Sequence, residues 1–345
     1  MSNTNKIETK YLQPLQLKLP KMESKKSNSN KQQETFIPNV RSNNQFQFIL
    51  QQGTEKSNKI LKETLAKPFA KENRKWLVEM LAKIKLIKTD EQIYLFIHEF
   101  LNNTIYKKNK PNNEGEGRAI SRSIDIEKLW NSAKDKNTQQ ISIYLDIGCS
   151  KGSITKSVIN TLRPLRTIGF DIIDNVEFGL GFEYVKMEAN KMVRFELENN
   201  SVQFATFNVS MHHIPPPILE QYLQELERVF VKGGVVIIRE HDVDERSKNS
   251  AEKKILIDIL HGLYSISWNL KGHMEDANFI HNYYANYNGK NYWSALFRKY
   301  GFSRVSNKLT GEYYHLGEMA DNQTTSGGKI RNPFNLYWAV YRKIG

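Results

Sequence analysis

The stretch Leu145-Asp146-Ile147-Gly148-Cys149-Ser150-Lys151-Gly152-Ser153 decides how this chain folds. A buried strand, Ile141 to Ile147, runs into a turn of small residues that opens a helix over Ser153 to Leu162. Small residues let the backbone lie close against a ligand, and a helix N-terminus presents free N–H groups, so a nucleotide-like ligand is implied. The next strand, Thr167 to Asp171, ends in an acid 25 residues after Asp146, where a carboxylate can accept both hydroxyls of a ribose. Further on, a strand over Val202 to Val209 precedes a helix over Leu219 to Phe230, with Leu219, Leu223, Leu226 and Val229 on one side. The turn Lys232-Gly233-Gly234 then leads into a buried strand, Gly234 to Ile238. Strands alternating with helices in this way predict an α/β fold, a doubly wound and mostly parallel sheet.

A dinucleotide site prefers G-x-G-x-x-G, whereas here an acid and small residues are spaced as Asp146-x-Gly148-x-Ser150-x-Gly152. That spacing resembles motif I of the class I S-adenosylmethionine-dependent methyltransferases, and over residues 140 to 240 the order of elements is similar to the type 11-like, Rossmann-like branch of that family. The resemblance implies S-adenosyl-L-methionine as cofactor, with Asp146, Gly148, Ser150 and Gly152 at its methionine end. It places Asp171 on the ribose, Ile172 beside the adenine, and Glu188 and Ala189 at the adenine edge. In Phe207-Asn208-Val209-Ser210-Met211-His212-His213-Ile214-Pro215 it puts Asn208 and His212 near the transferable methyl. The chain departs from the motif in having Ser150 for the middle glycine and Lys151 before the last one; serine is small enough for binding to survive. The helix Trp293 to Tyr300 and the strands Gly301 to Val305 and Leu336 to Lys343 complete, by resemblance, a seven-stranded sheet with an antiparallel C-terminal edge.

The chain has 345 residues, 39% of them hydrophobic, and a formal charge of +13. Residues 1 to 60 are rich in Asn, Gln, Ser and Lys, and ten basic against four acidic residues give them +6. They read as a disordered basic arm, either a grip on RNA or a protein partner, or a solvated tail. Residues 61 to 135 read as a helical N-terminal region and linker, in which Trp76, Leu77, Met80, Leu81 and Ile84, then Ile93, Phe96, Ile97, Phe100 and Leu101, form two amphipathic helices. Residues 136 to 345 make the methyltransferase domain, with an insertion over 241 to 291. One cysteine, Cys149, excludes an internal disulfide, and no Cys and His spacing predicts a metal. No apolar run reaches the roughly 20 residues that span a bilayer. A soluble protein, cytoplasmic or nuclear, is expected.

Arg239-Glu240-His241-Asp242-Val243-Asp244 follows the fifth strand and is expected to face the methyl. Glu240, His241, His212 and His213 are therefore the candidate catalytic residues, able to orient an acceptor or take its proton. Of the adjacent histidines, one is expected to pack into the sheet edge and the other to face the cleft. The insertion and its flank carry Tyr264, Trp268, Phe279, Tyr283, Tyr284, Tyr287, Tyr292 and Trp293, which can stack unpaired bases or pack a lid. Charge, arm and aromatics favour RNA as acceptor, a cap guanine or a tRNA base. A small-molecule acceptor is the alternative, and a non-catalytic subunit of an RNA-processing complex the second.

Overall fold

The computed structural model describes residues 44–66, 74–103, 114–172, 181–188, 192–243, 249–270, 285–305 and 336–345. Its centre is a seven-stranded sheet: β1 (Ile143–Ile147), β2 (Arg166–Asp171), β3 (Glu183–Lys186), β4 (Val202–Asn208), β5 (Phe230–His241), β6 (Phe302–Arg304) and β7 (Leu336–Lys343). Their spatial order is β3-β2-β1-β4-β5-β7-β6. The pairs β1·β2, β1·β4, β2·β3 and β4·β5 are parallel, while β7 runs antiparallel to both β5 and β6. This is the expected sheet with its antiparallel edge. The strand order reverses between β1 and β4, and in open α/β sheets a ligand binds beyond the carboxyl ends of the strands at such a reversal.

The central strands read as continuous apolar runs because both faces of the sheet are covered. With side chains alternating along each strand, Tyr144, Phe204, Val235 and Ile237 share one face with Trp338 and Val340, under α5 (Glu114–Ala133) and α6 (Ser153–Leu162). Leu145, Ala205, Phe207, Val236 and Ile238 face the other way, under α7 (Pro216–Val229) and the Lys290–Lys299 helix. Trp293 and Phe297 of that helix are buried there, and Phe297 stacks on Tyr341 at 4.2 Å. The expected Lys232-Gly233-Gly234 turn is instead a bulge within β5: Gly233 has φ 82, and the register against β4 shifts between Val202 and Phe204.

A second apolar cluster lies ahead of the sheet. It joins α1 (Gln45–Gln51), α2 (Glu55–Ala66), α3 (Arg74–Ile84) and α4 (Asp90–Asn103) to α8 (Ser250–Leu270), the helix of the insertion. Leu256, Ile259, Leu260 and Leu263 of α8 pack with Phe46, Leu61, Tyr94 and Ile97. Polar contacts reinforce the joint: Asp90 accepts the backbone N–H groups of Gln45 and Phe46 at 2.8 and 3.1 Å, and the Thr54 hydroxyl donates to Glu252 at 2.6 Å. Helix α8 of the insertion and helices α1 to α4 therefore form one cap. Two sequence boundaries move accordingly. Residues 45–51 and 55–60, assigned to the disordered arm, are helical, because Phe46, Ile49 and Ile60 find tertiary partners that a Gln- and Asn-rich sequence does not advertise. Helix α5 begins at Glu114, inside the stretch Lys107 to Gly117 that its Pro111, Asn112, Asn113 and two glycines mark as a linker in sequence. Residues 1–43, the rest of the arm, lie outside the described residues.

Within the cap α8 approaches α4 closely at Gly262, where an added Cβ would stand 2.5 Å from the Tyr94 ring. Gly262→Ala is expected to push α8 off Tyr94 and cost about 1–3 kcal/mol, the usual range for overpacking; urea unfolding should show an earlier midpoint.

Candidate functional site

The turn after β1 is built as a ligand cradle. Gly148 has φ 80, and an added Cβ would sit 2.2 Å from the Ser210 Cβ, so only glycine lets the turn lie against the segment after β4. Ser210 ties the two together by donating its hydroxyl to the Ile147 carbonyl at 2.7 Å. The N–H groups of Gly148 and Cys149 both donate to the Phe170 carbonyl, which binds the turn to β2. Gly152, φ 73, then opens α6. Cys149 is a buried filler whose thiol is pushed far up by burial.

Ser150, at the position of the family's middle glycine, holds φ 51, a left-handed conformation that costs a non-glycine residue about 1–2 kcal/mol. Asp171 offsets this by accepting the Ser150 N–H at 2.6 Å and the Ile172 N–H at 2.8 Å. Ser150→Gly is expected to stabilise the chain by about 1 kcal/mol, read as a higher Tm; a lower Tm would mean that the turn needs the side chain.

Asp146 differs from its expected place. At 2% exposure it accepts the hydroxyls of Thr155 at 2.6 Å and Thr206 at 2.7 Å, and Thr206 in turn meets the Tyr144 hydroxyl at 2.7 Å. Burial raises its pKa, opposed by those hydroxyl hydrogen bonds. The carboxylate pins α6 and β4 beneath the turn.

Asp171 and Ile172 stand at the tip of β2, and Ile172 is 67% exposed. A large exposed apolar side chain beside an acid suits the face of a nucleoside base. Glu188 is exposed just after β3, and Ala189 lies outside the described residues. Asn208 closes β4, and its buried Oδ1 has no hydrogen-bond partner among the described residues. The next residue, Val209, has φ 60, a strained conformation for a β-branched side chain. An orphaned acceptor and a strained residue together, at the reversal of strand order, make this edge the candidate site.

The candidate catalytic residues form one group. The His212 Nδ1 lies 2.7 Å from Glu240 Oε2, both side chains at 0% exposure. Glu240 also accepts the backbone N–H groups of Met211 at 2.8 Å and His241 at 3.2 Å. Burial pushes its pKa up to about 8 against the backbone N–H groups that point at it. Its Oε2 and the His212 Nδ1 share one hydrogen bond, whose direction follows the His212 tautomer. The His212 pKa falls well below its ordinary value, through burial and then through His213, His241 and His261, so the ring is neutral. Of the adjacent pair, His212 is buried in the turn after β4 and His213 is exposed. Glu240 is a correction: wholly buried, it positions His212 and cannot meet an acceptor.

Sequence reasoning missed His261, on α8, and the true place of Tyr287. The ring centroid of His261 lies 5.4 Å from that of His212 and 4.9 Å from that of His241, and Tyr287 stands 5.3 Å from both His212 and His241. Of the aromatics read as base stackers, Tyr287 and Trp293 are buried and Tyr292 packs on the core, while the side chains of Tyr264, Trp268, Phe279, Tyr283 and Tyr284 lie outside the described residues.

Residues 105–307, more than half of the chain, match the family described as Methyltransferase domain. The chain belongs to this family, a class I S-adenosylmethionine-dependent methyltransferase fold. Among solved structures it is similar to the Haloferax volcanii chain in complex with the Trm112 methyltransferase activator, at 11% identity and TM-score 0.40, over 68% of this chain and 95% of that one. It is also similar to human N-acetylserotonin methyltransferase in complex with SAM, at 14% identity and TM-score 0.36 over 73% and 62% of the two chains. A third likeness, at 11% identity and TM-score 0.40 over 76% and 69%, is to an O-methyltransferase family 2 protein from Planctomyces limnophilus in complex with apigenin. No curated protein matches the chain. These likenesses leave the acceptor open. Among the described residues no helix is long and apolar enough to cross a membrane.

Proposed function

We propose that the chain transfers the methyl group of S-adenosylmethionine to a small acceptor enclosed between the carboxyl ends of β4 and β5 and the helical cap. The cofactor supplies an electrophilic methyl when bound. Its adenosine is assigned to Asp171 and Ile172, with Asp171 accepting ribose hydroxyls beside the backbone donors of Ser150 and Ile172. Its methionine end is assigned to the Gly148 to Gly152 turn and Asn208. The orphaned buried Oδ1 of Asn208 carries this placement, since an ammonium or another donor there satisfies an atom that otherwise costs about 1–3 kcal/mol. Asp146 shapes the turn from beneath.

Enclosure favours the small acceptor. The His212 carbonyl accepts the Asn286 N–H at 2.8 Å, Tyr287 is buried over the histidines, and α8 is fixed to α1, α2 and α4. Walls of this kind favour a compact molecule over a polymer, and positioning alone supplies much of the rate for a good nucleophile. A charge of +13, six of it in residues 1 to 60, favours a second reading in which the arm holds RNA or a protein partner and one base enters the pocket.

The discriminating experiment offers radiolabelled S-adenosylmethionine with a metabolite extract, total tRNA and capped transcripts, using Asp171→Ala as control. Label in the extract that the variant loses supports the small acceptor. Label in RNA replaces it with the second reading, and no label in any pool despite cofactor binding points to the non-catalytic subunit.

A further inference from the structure

We propose that His212, His241 and His261 hold a divalent transition-metal ion of the zinc class. One ligand atom from each lies within 4.8 Å of the others. The three come from separate elements, the turn after β4, the last residue of β5 and α8, so their meeting is a product of the fold. Imidazole is the ligand type that suits zinc, copper, iron and nickel.

The hydrogen bonds of two of the rings are those that suit ligands. The His212 Nδ1 is committed to Glu240 at 2.7 Å, and its buried Nε2 has no hydrogen-bond partner among the described residues. The His261 Nδ1 lies 3.0 Å from the Ile257 carbonyl, which can only accept, so Nδ1 donates and Nε2 keeps the lone pair. A metal-bound histidine characteristically donates its other N–H to a carboxylate or a backbone carbonyl; His261 donates to the Ile257 carbonyl, and His212 has the Glu240 carboxyl beside its Nδ1. Glu240, held in turn by the backbone N–H groups of Met211 and His241, acts as the positioning carboxylate.

Three nitrogens on one tetrahedral zinc at about 2.0–2.1 Å stand about 3.3 Å apart. Metal binding therefore draws the rings together by up to about 1.5 Å relative to their present separation, which side-chain rotation and the partly exposed His261 on α8 permit. Three histidines leave a fourth position for water or an acceptor oxygen, the composition of catalytic rather than structural zinc sites. The site goes beyond the methyltransferase reading and stands without it.

The test uses the full chain, stripped by chelation and dialysed, titrated first with Co²⁺ and then with Zn²⁺. The expected result is one Co²⁺ per chain with visible ligand-field bands, displaced by one Zn²⁺. His212→Ala and His261→Gln should each weaken Zn²⁺ by more than about 100-fold, and Glu240→Gln by about 10- to 100-fold, the usual effect of removing a supporting carboxylate. His98→Ala, on α4 outside the cluster, should match the wild type. Because His261 is partly exposed, His261→Gln should keep the wild-type circular dichroism and read the site even if His212→Ala does not fold. Failure of the wild type to saturate with either metal, or wild-type affinity in a folded His261→Gln, would overturn the assignment.

Discussion

Asp171→Ala is expected to weaken S-adenosylmethionine binding by about 10- to 100-fold, equivalent to the roughly 1.5–3 kcal/mol of hydrogen bonds to a charged group. The carboxylate now accepts the N–H groups of Ser150 and Ile172, and in the cofactor complex it accepts ribose hydroxyls as well. Its loss also frees Ser150, whose left-handed backbone those bonds help to hold. Asp171→Asn separates the two effects, since its amide oxygen still accepts from one backbone N–H while the charge is gone. Isothermal titration of both variants is the measurement. Wild-type affinity in Asp171→Ala would remove the adenosine from this edge of the sheet.

Gly148→Ala is expected to be the most damaging single change in the cofactor turn. The new Cβ would meet the Ser210 Cβ at 2.2 Å and its Oγ at 2.7 Å, on a backbone with φ 80. Left-handed strain and overpacking together cost about 2–5 kcal/mol, and whatever relaxation occurs must separate the turn from the segment that carries Asn208 and His212. Cofactor binding should be abolished, and the Tm should fall. A variant that unfolds at the wild-type temperature and binds normally would show that the turn does not lie against β4.

How legible these features were depended on how local they are. The β1 strand, the glycine turn, α6 and the acid ending β2 are set by neighbouring residues, and Ser153–Leu162 and Leu336–Lys343 have the bounds their patterns predict. The buttress beneath the turn was not legible, because Thr155 and Thr206 reach Asp146 from 9 and 60 positions away and neither has a periodic signature. The same holds for the histidines: His212 and His213 stand out as neighbours, but His261 lies on an apolar helix where nothing local distinguishes it. Glu240 was legible as an acid at the end of β5, yet its total burial and its turn toward His212 follow from the pairing of β5 between β4 and β7. Trp293 misled for the opposite reason, since an aromatic beside an insertion reads equally as a stacker or as core, and its 1% exposure puts it in the core.

The most direct test of the cofactor placement is hydrogen exchange of the full chain with and without S-adenosylmethionine. The account predicts added protection confined to the turn after β1 and the start of α6, to the tip of β2 around Asp171 and Ile172, and to Asn208 through His213. Protection concentrated instead in the helical cap, with the Gly148 to Gly152 turn unchanged, would contradict it.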